Sequence, residues 1–328
     1  MSAERATQIM PAGDAATAAA ARVLRQRGLV AFPTETVYGL GADAENGEAV
    51  ARLYEAKGRP SFNPLIAHVL DAAAARRLAR FDAAAERLAA QFWPGPLTLV
   101  LPKAPNCAVA ELATAGLDTI AVRVPSHGVA REILAAFGGP IVAPSANRSG
   151  HVSPTTAAHV SGDLKGRVDL IIDGGPAPMG LESTIVACVD DPVLLRPGAL
   201  AREAIDRVVS LKAGTAAPAA DDDDAVIAPG RLASHYAPRA QLRLDASSVH
   251  PDETLLAFGA ERIADADRAV LTLNLSARGD LIEAAANFFS HLRRLDACGA
   301  ATIAVMPIPH VGLGEAINDR LRRAAAPR

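Results

Sequence analysis

Pro33-Thr34-Glu35-Thr36-Val37-Tyr38-Gly39-Leu40-Gly41 follows an apolar run that starts at Leu29. The run, residues 29–33, reads as a buried strand, and the polar stretch sits at its carboxyl end, where α/β domains place ligands. Thr34, Glu35, Thr36 and Tyr38 are poor filling for a sheet core, while Gly39 and Gly41 allow close backbone approach. The bland alternative is a polar turn capping the next helix. Polar density at a strand end favours a ligand site. The stretch also imitates a dinucleotide fingerprint, Gly39-x-Gly41-x-x-Ala44. That fingerprint needs an acid about 20 residues on, ending a second strand. Ser61-Phe62-Asn63-Pro64 stands there instead, which disfavours a nicotinamide enzyme.

Working outward, residues 14–27 read as an alanine-rich helix before that strand. A helix over 48–57 carries Val50, Leu53 and Tyr54 at helical spacing and is stopped by Gly58. A strand over 64–70 is followed by one long helix over 71–92, with Leu78, Phe81, Ala85, Leu88 and Phe92 on one stripe. Strands over 97–101 and 119–124, a helix over 128–137, and strands over 140–143, 170–173, 183–189 and 193–196 complete the pattern. This alternation predicts an α/β domain with a twisted mixed sheet over residues 12–210. Residues 211–238 lose periodicity, include the run Asp221 to Asp224, and read as a linker. Strands over 254–258, 269–275 and 302–306 alternate with helices over 280–298 and 314–325. They predict a small Rossmann-like α/β domain over 239–328.

Composition limits the function. The 328 residues suit two domains, and 50% are hydrophobic, so a sizeable core is available. Aromatics are only 4%, so that core rests on Ala, Val, Leu and Ile. A net charge of −3 gives no global electrostatic case for nucleic-acid or membrane binding, though it allows a local basic pocket for an anion. Cys107, Cys188 and Cys298 are far apart, so there is no CxxC knuckle and no metal site is expected. Sparse, unpaired cysteines and the lack of a signal-peptide core or membrane-length apolar run predict a cytoplasmic protein.

Three further clusters carry chemistry. Lys57-Gly58-Arg59-Pro60 with Asn63-Pro64 places two cations and an amide on a stiff loop, which suits a triphosphate: Arg forks two oxygens and Lys adds a point charge. Ordinary charge complementing a helix C-terminus is the alternative. Pro140 to Gly150 runs from an apolar strand into Pro144-Ser145-Ala146-Asn147-Arg148-Ser149-Gly150, a loop able to cradle an anion with N–H groups and short donors, or to cap a helix. Ser153 adds a hydroxyl soon after. Arg123, sharing a strand face with Thr119, needs an anionic partner from protein or ligand. His68, inside an apolar strand, is by default a satisfied core histidine. Ser183 and Arg196 are polar groups at strand ends. There is no Walker A loop, HExxH, GxSxG or Cys–His nucleophile pattern, so neither a standard P-loop nor a covalent enzyme intermediate is indicated.

The ordered strings PTETVYGLG, KGRP-x-x-NPL, WPGPLTLVL, RVP, APSANRSG, STIV and LRPG span roughly residues 12–209 and resemble the YrdC-like threonylcarbamoyl-AMP synthase family. Arg231 to Pro238 resembles the linker of its longer two-domain form, and Gly312 to Leu321 resembles the end of the extra domain. The resemblance implies a YrdC-like domain with a deep, positive cavity. It also implies synthesis of threonylcarbamoyl-AMP from L-threonine, bicarbonate and ATP, with Mg²⁺ accompanying ATP. Other proteins then transfer the group to tRNA, which this chain would contact at most weakly. By motif position, Thr36, His68, Arg123, Ala143 and Ser183 would line the threonine site. Lys57, Arg59, Asn63, Thr119, Ser145, Asn147, Ser153 and Arg196 would serve ATP, with Lys57 and Arg59 on the leaving pyrophosphate and Tyr236 closing over the nucleotide. Two alternatives are a non-catalytic RNA-binding module and a carbamoyl transferase with another acceptor.

Overall fold

The computed structural model describes residues 6–212 and 235–327. The run Asp221 to Asp224 and the linker positions 231–234 lie outside the described residues. The first sheet uses β1 (Gln8–Pro11), β2 (Val30–Pro33), β3 (Tyr38–Asp43), β4 (Ile66–His68), β5 (Leu97–Pro102), β6 (Thr119–Arg123), β7 (Ile141–Val142), β8 (Leu170–Asp173), β9 (Thr184–Ala187) and β10 (Val193–Arg196). Their order is β1-β8-β2-β3-β7-β4-β6-β5-β9-β10, mixed in direction. Helices α1 (Asp14–Arg25), α2 (Gly47–Lys57), α3 (Ala72–Leu78), α4 (Ala83–Phe92), α5 (Gly128–Phe137), α6 (Ala157–Leu164) and α7 (Arg202–Asp206) accompany it. The second sheet, β11 (Gln241–Arg243), β12 (Thr254–Ala257), β13 (Thr272–Asn274) and β14 (Thr302–Val305), is parallel, in the order β11-β14-β12-β13. Helices α8 (Leu281–Ala297) and α9 (Leu313–Ala325) pack with it.

Three local readings need correction. The helix expected over 71–92 is two helices, α3 and α4. Ala79 is extended, Arg80 N–H donates to Pro102 O at 2.9 Å, and Ala104 N–H donates to Leu78 O at 2.9 Å. The chain therefore leaves the helix to pair with the end of β5, and Asp82 caps a fresh helix by accepting from Ala85 N–H at 2.7 Å. The apolar stripe carried through the break because both helices cover the same core. The polar stretch at 33–41 is only partly a loop: the turn covers 34–37 and β3 resumes at Tyr38, antiparallel to β2. Thr34 makes that turn by donating its hydroxyl to Val37 O at 2.7 Å. Gly41 is required by this pairing, since a Cβ there would lie 2.6 Å from the Phe32 ring. β1 and β11 were not expected; each is an edge strand of three or four residues with no fully buried side chain.

A shared apolar core joins the two sheets' layers. Val37, Val152 and Leu181 of the first pack with Tyr236, Phe288, Phe289 and Ile317 of the second. Gly180, at φ +69°, lies so close to α8 that a Cβ would sit 2.3 Å from Ala285 O.

Candidate active site

The turn after β2, the ends of β4 and β6, the loop after β7 and the start of β9 converge on one buried cavity. It is lined by Thr36, Val37, Arg59, Pro64, Leu65, Ile66, His68, Arg123, Ala143, Pro144, Ser145, Glu182, Ser183, Arg196, His235 and Tyr236. The register explains part of this: β4 and β6 run parallel with His68 opposite Arg123. β3 brings Gly39 against Ser145, and Leu40 N–H donates to Pro144 O at 2.8 Å. Glycine at 39 permits this approach, since a Cβ would be 3.2 Å from the Ala143 methyl.

Arg123 donates from Nη2 to Glu35 Oε1 at 2.5 Å and from Nε to Gly95 O at 3.3 Å. Nη1 has no hydrogen-bond partner among the described residues. Glu35 Oε2 also accepts from Ser126 N–H at 3.1 Å. Burial works to raise the Glu35 carboxyl, but the Arg123 guanidinium and the hydrogen bonds outweigh it and hold the group below the usual carboxylate range. The anionic partner anticipated for Arg123 is thus, in part, a protein carboxylate. His68 Nδ1 lies 3.2 Å from Ile66 O. A carbonyl only accepts, so the proton sits on Nδ1 and Nε2 carries a lone pair. Burial, with nearby Arg123 adding to it, pushes the imidazole down to about 3, so it is neutral at pH 7.

Arg59 donates to Asn63 O at 3.3 Å and Pro64 O at 3.0 Å. Arg196 donates from Nη2 to Ser183 O at 2.8 Å and to Ser183 Oγ at 3.3 Å. Neither has a carboxylate in ion-pair contact among the described residues, though Arg196 is buried and Arg59 half-buried. Burial lowers both guanidinium pKa values, Arg59 to about 10, and both remain cations at neutral pH. Ser183 Oγ also meets Thr98 Oγ1 at 2.8 Å. Thr36 Oγ1 meets Thr34 Oγ1 at 2.8 Å.

Other expected residues lie behind this lining. Lys57 does not face the cavity: its ammonium donates to Ser145 O at 2.6 Å and Asn147 O at 2.5 Å, clamping the loop after β7 to the end of α2. Asn147 donates to Arg148 O and His151 O, and its Oδ1 is buried without a partner among the described residues. Asn63 Oδ1 is similarly orphaned. Ser153 Oγ donates to Glu182 Oε1 at 2.5 Å. Thr119 opens β6, four residues before Arg123, which is about 13 Å along a strand, and it is outside the lining.

Tyr236 is 1% exposed and stands in the cavity wall. It stacks on Phe289 at 5.7 Å and lies under the guanidiniums of Arg320 and Arg323. His235 packs against it, with the ring centroids 4.1 Å apart. With both in place the remaining cavity is about 50 Å³. One water occupies roughly 30 Å³ of liquid, so the space that remains is of solvent size, smaller than a nucleotide.

Four residues with parts in the site received no role from sequence reasoning: Glu35, Glu182, His235 and Arg320. Glu35 stood inside a quoted motif and Glu182 directly before Ser183 of another, and an acid at a polar strand end was the available signal. Arg320 gave none, because its partner is 138 residues away.

Fold and cavity together define a two-domain α/β protein with a buried, cationic small-molecule cleft covered by the segment entering the second domain. The family model described as Telomere recombination (Sua5, YciO and YrdC) matches residues 22–198. The model described as Threonylcarbamoyl-AMP synthase, C-terminal domain, matches residues 200–326. Threonylcarbamoyl-AMP synthase of Bacillus subtilis is 41% identical over 338 residues, covering 98% of this chain and 96% of that protein. The Pyrococcus abyssi enzyme of the same name is 42% identical, covering 94% of each. The crystal structure of P. abyssi Sua5 complexed with L-threonine aligns with a TM-score of 0.86 at 38% identity over 97% of both chains. E. coli YciO, 24% identical with a TM-score of 0.53 over 59% of this chain, shares the fold of the first domain. This chain belongs to the threonylcarbamoyl-AMP synthase family, in its two-domain form.

Proposed function

We propose that the chain is an L-threonylcarbamoyladenylate synthase, a nucleotidyltransferase that forms threonylcarbamoyl-AMP and pyrophosphate from L-threonine, bicarbonate and ATP for tRNA modification. The observation that carries this reading is three guanidiniums lining one cavity, Arg123 and Arg196 buried and Arg59 half-buried, of which Arg59 and Arg196 have no ion-paired carboxylate among the described residues. A desolvated charge without a counter-ion is costly, so such a pair is a standing site for an anion. Arg123, with Nη1 still available, meets the threonine carboxylate. Neutral His68 accepts the threonine hydroxyl at Nε2. Thr36, Ala143 and Ser183 close the amino-acid end.

The threonine amine adds to bicarbonate with loss of water, giving the N-carboxylate. One carboxylate oxygen attacks the α-phosphorus of ATP in line; the bond to the β-bridging oxygen breaks and pyrophosphate departs. Arg59 and Arg196 stabilise the phosphate charge, while Lys57 acts by holding the Ser145–Asn147 loop. The orphaned Asn63 and Asn147 oxygens await donors. Mg²⁺ arrives with ATP as part of the substrate and is bound chiefly by the phosphates. Positioning and charge stabilisation suffice without a side-chain nucleophile, since good alignment alone lowers a barrier by roughly 7–11 kcal/mol.

ATP enters after His235 and Tyr236 leave the cavity, and Thr119 and Ser153 reach it only if the nucleotide extends beyond the present lining. The product passes to separate tRNA threonylcarbamoyl-transfer proteins, with at most weak tRNA contact by this chain. The proposed working compartment is the cytoplasm, where the tRNA to be modified is found; among the described residues no helix is long and apolar enough to cross a membrane.

The test is ATP–pyrophosphate exchange by the full chain, with threonine and bicarbonate each omitted in turn. Exchange is expected only with both present, and Arg59→Ala is expected to reduce it by about a hundredfold or more. Exchange indifferent to threonine would indicate another carbamoyl acceptor. Salt-dependent RNA binding without exchange would indicate an RNA-binding module.

A further inference from the structure

Arg320 of α9 belongs to the second domain, yet its guanidinium is fully buried against the first. Its Nε donates to Glu182 Oε2 at 2.9 Å and its Nη2 to Pro197 O at 3.0 Å. It therefore grips both strand ends that form the phosphate side of the cavity: Glu182 precedes Ser183 of that wall, and Pro197 follows Arg196. Glu182 and Arg196 both line the cavity. Arg196 is nonetheless held on Ser183 O and Oγ rather than on the carboxylate. Glu182 has its two oxygens occupied elsewhere, by Arg320 and by the Ser153 hydroxyl.

We infer that Arg320 is a positioning residue for the nucleotide: by occupying Glu182 it keeps Arg196 available to phosphate, so the second domain completes the charge pattern of the first domain's active site. Without a competing cation, a buried carboxylate beside a buried arginine would pair with it. Arg196 would then be neutralised and the cavity would lose one of its two anion-binding guanidiniums. The electrostatics agree: Glu182 feels Arg320 first and Arg196 next, and both help hold its carboxyl below the usual range against burial. Asp319, the other acid touching Arg320, keeps Arg323 at 3.7 Å and needs no new partner.

This inference rests on the proposed nucleotide site, and a double-mutant cycle separates the two. Binding of a non-hydrolysable ATP analogue and of L-threonine is measured by calorimetry on the full chain. Arg320→Met is expected to weaken the analogue by about tenfold or more, the loss typical of one charged partner, while threonine affinity stays within about threefold. In a Glu182→Gln background the same substitution is expected to change analogue affinity by less than about threefold, because no carboxylate remains to capture Arg196. Equal losses in both backgrounds, or parallel losses of analogue and threonine, would overturn the inference and make Arg320 a packing residue. Should Arg320→Met lose its cooperative melt, Arg320→Lys decides: it keeps the charge and is expected to bind analogue within about threefold of wild type, and a tenfold loss would overturn the inference. A wild-type chain that binds no analogue would instead remove the nucleotide reading itself.

Discussion

A single buried pair sets the character of the amino-acid end of the cleft. Glu35 and Arg123 are each about 95% buried, and their 2.5 Å contact offsets two desolvation costs. Glu35→Gln would leave Arg123 as a buried cation with only the Gly95 carbonyl and a weaker amide contact. Breaking such a pair costs about 3–5 kcal/mol, so urea unfolding of Glu35→Gln should show a loss of that order, and a loss below about 1 kcal/mol would mean the pair is relaxed by water. This pair also shows how far residues could be read alone. The sequence required an anionic partner for Arg123, and strand alternation gave its face, but nothing local chose between Glu35 and a ligand. Lys57 shows the opposite case. Two cations two residues apart looked equivalent. The helix end at Gly58, with φ +61°, turns the chain so that Lys57 points to backbone carbonyls while Arg59 reaches the cavity.

Elements were legible where hydrophobic period and punctuation agreed, as in α1, α2, α5, α8 and α9. They failed where tertiary pairing overrode period, as at Ala79, and where a strand had no apolar signature, as in β1 and β11. The parallel second sheet and the mixed first one followed from alternation, but strand order did not, because partners such as β1 and β8 are about 160 residues apart. The contact between Gly180 and α8 belongs to this scale. A methyl at 180 would meet Ala285 O at 2.3 Å and also force a positive φ on a residue with a Cβ. Gly180→Ala is therefore expected to cost about 1–3 kcal/mol by overpacking and strain. It should also shift α8, whose Arg293 donates to Asp163 at 2.9 Å in the first domain. A melting temperature within about 1 °C of wild type would show that the two layers slide freely past each other.

At the level of the whole molecule, both halves bury histidines that stay neutral, and this fixes the acid limit of stability. His68 is pushed down to about 3 by burial and by Arg123, and the half-buried His159 to about 4 by partial desolvation and by Arg293. His235 is held well below its ordinary value by burial, with Arg323 and Arg59 adding to it. Each folded-state value lies below the unfolded value near 6.5, so below that pH the unfolded chain binds protons that the folded chain refuses. Stability from these groups is complete above about pH 6.5 and is lost as pH falls toward the folded values, at up to about 1.4 kcal/mol per pH unit for each fully buried site. Glu35 and Glu182, held low by Arg123 and Arg320 against their own burial, act in a separate and lower window, below about 4.5. Unfolding free energy should therefore begin to fall between about pH 6.5 and 5, before any carboxylate titrates. The steepest dependence is expected in the closed form, because His235 sits in the cavity beside the cations that resist its protonation. His235→Asn should flatten the urea midpoint's dependence on pH across that range without removing the lower window. A wild-type midpoint flat from pH 7 to about pH 5 would mean that these rings exchange protons with solvent, and that the segment covering the cleft is open in solution.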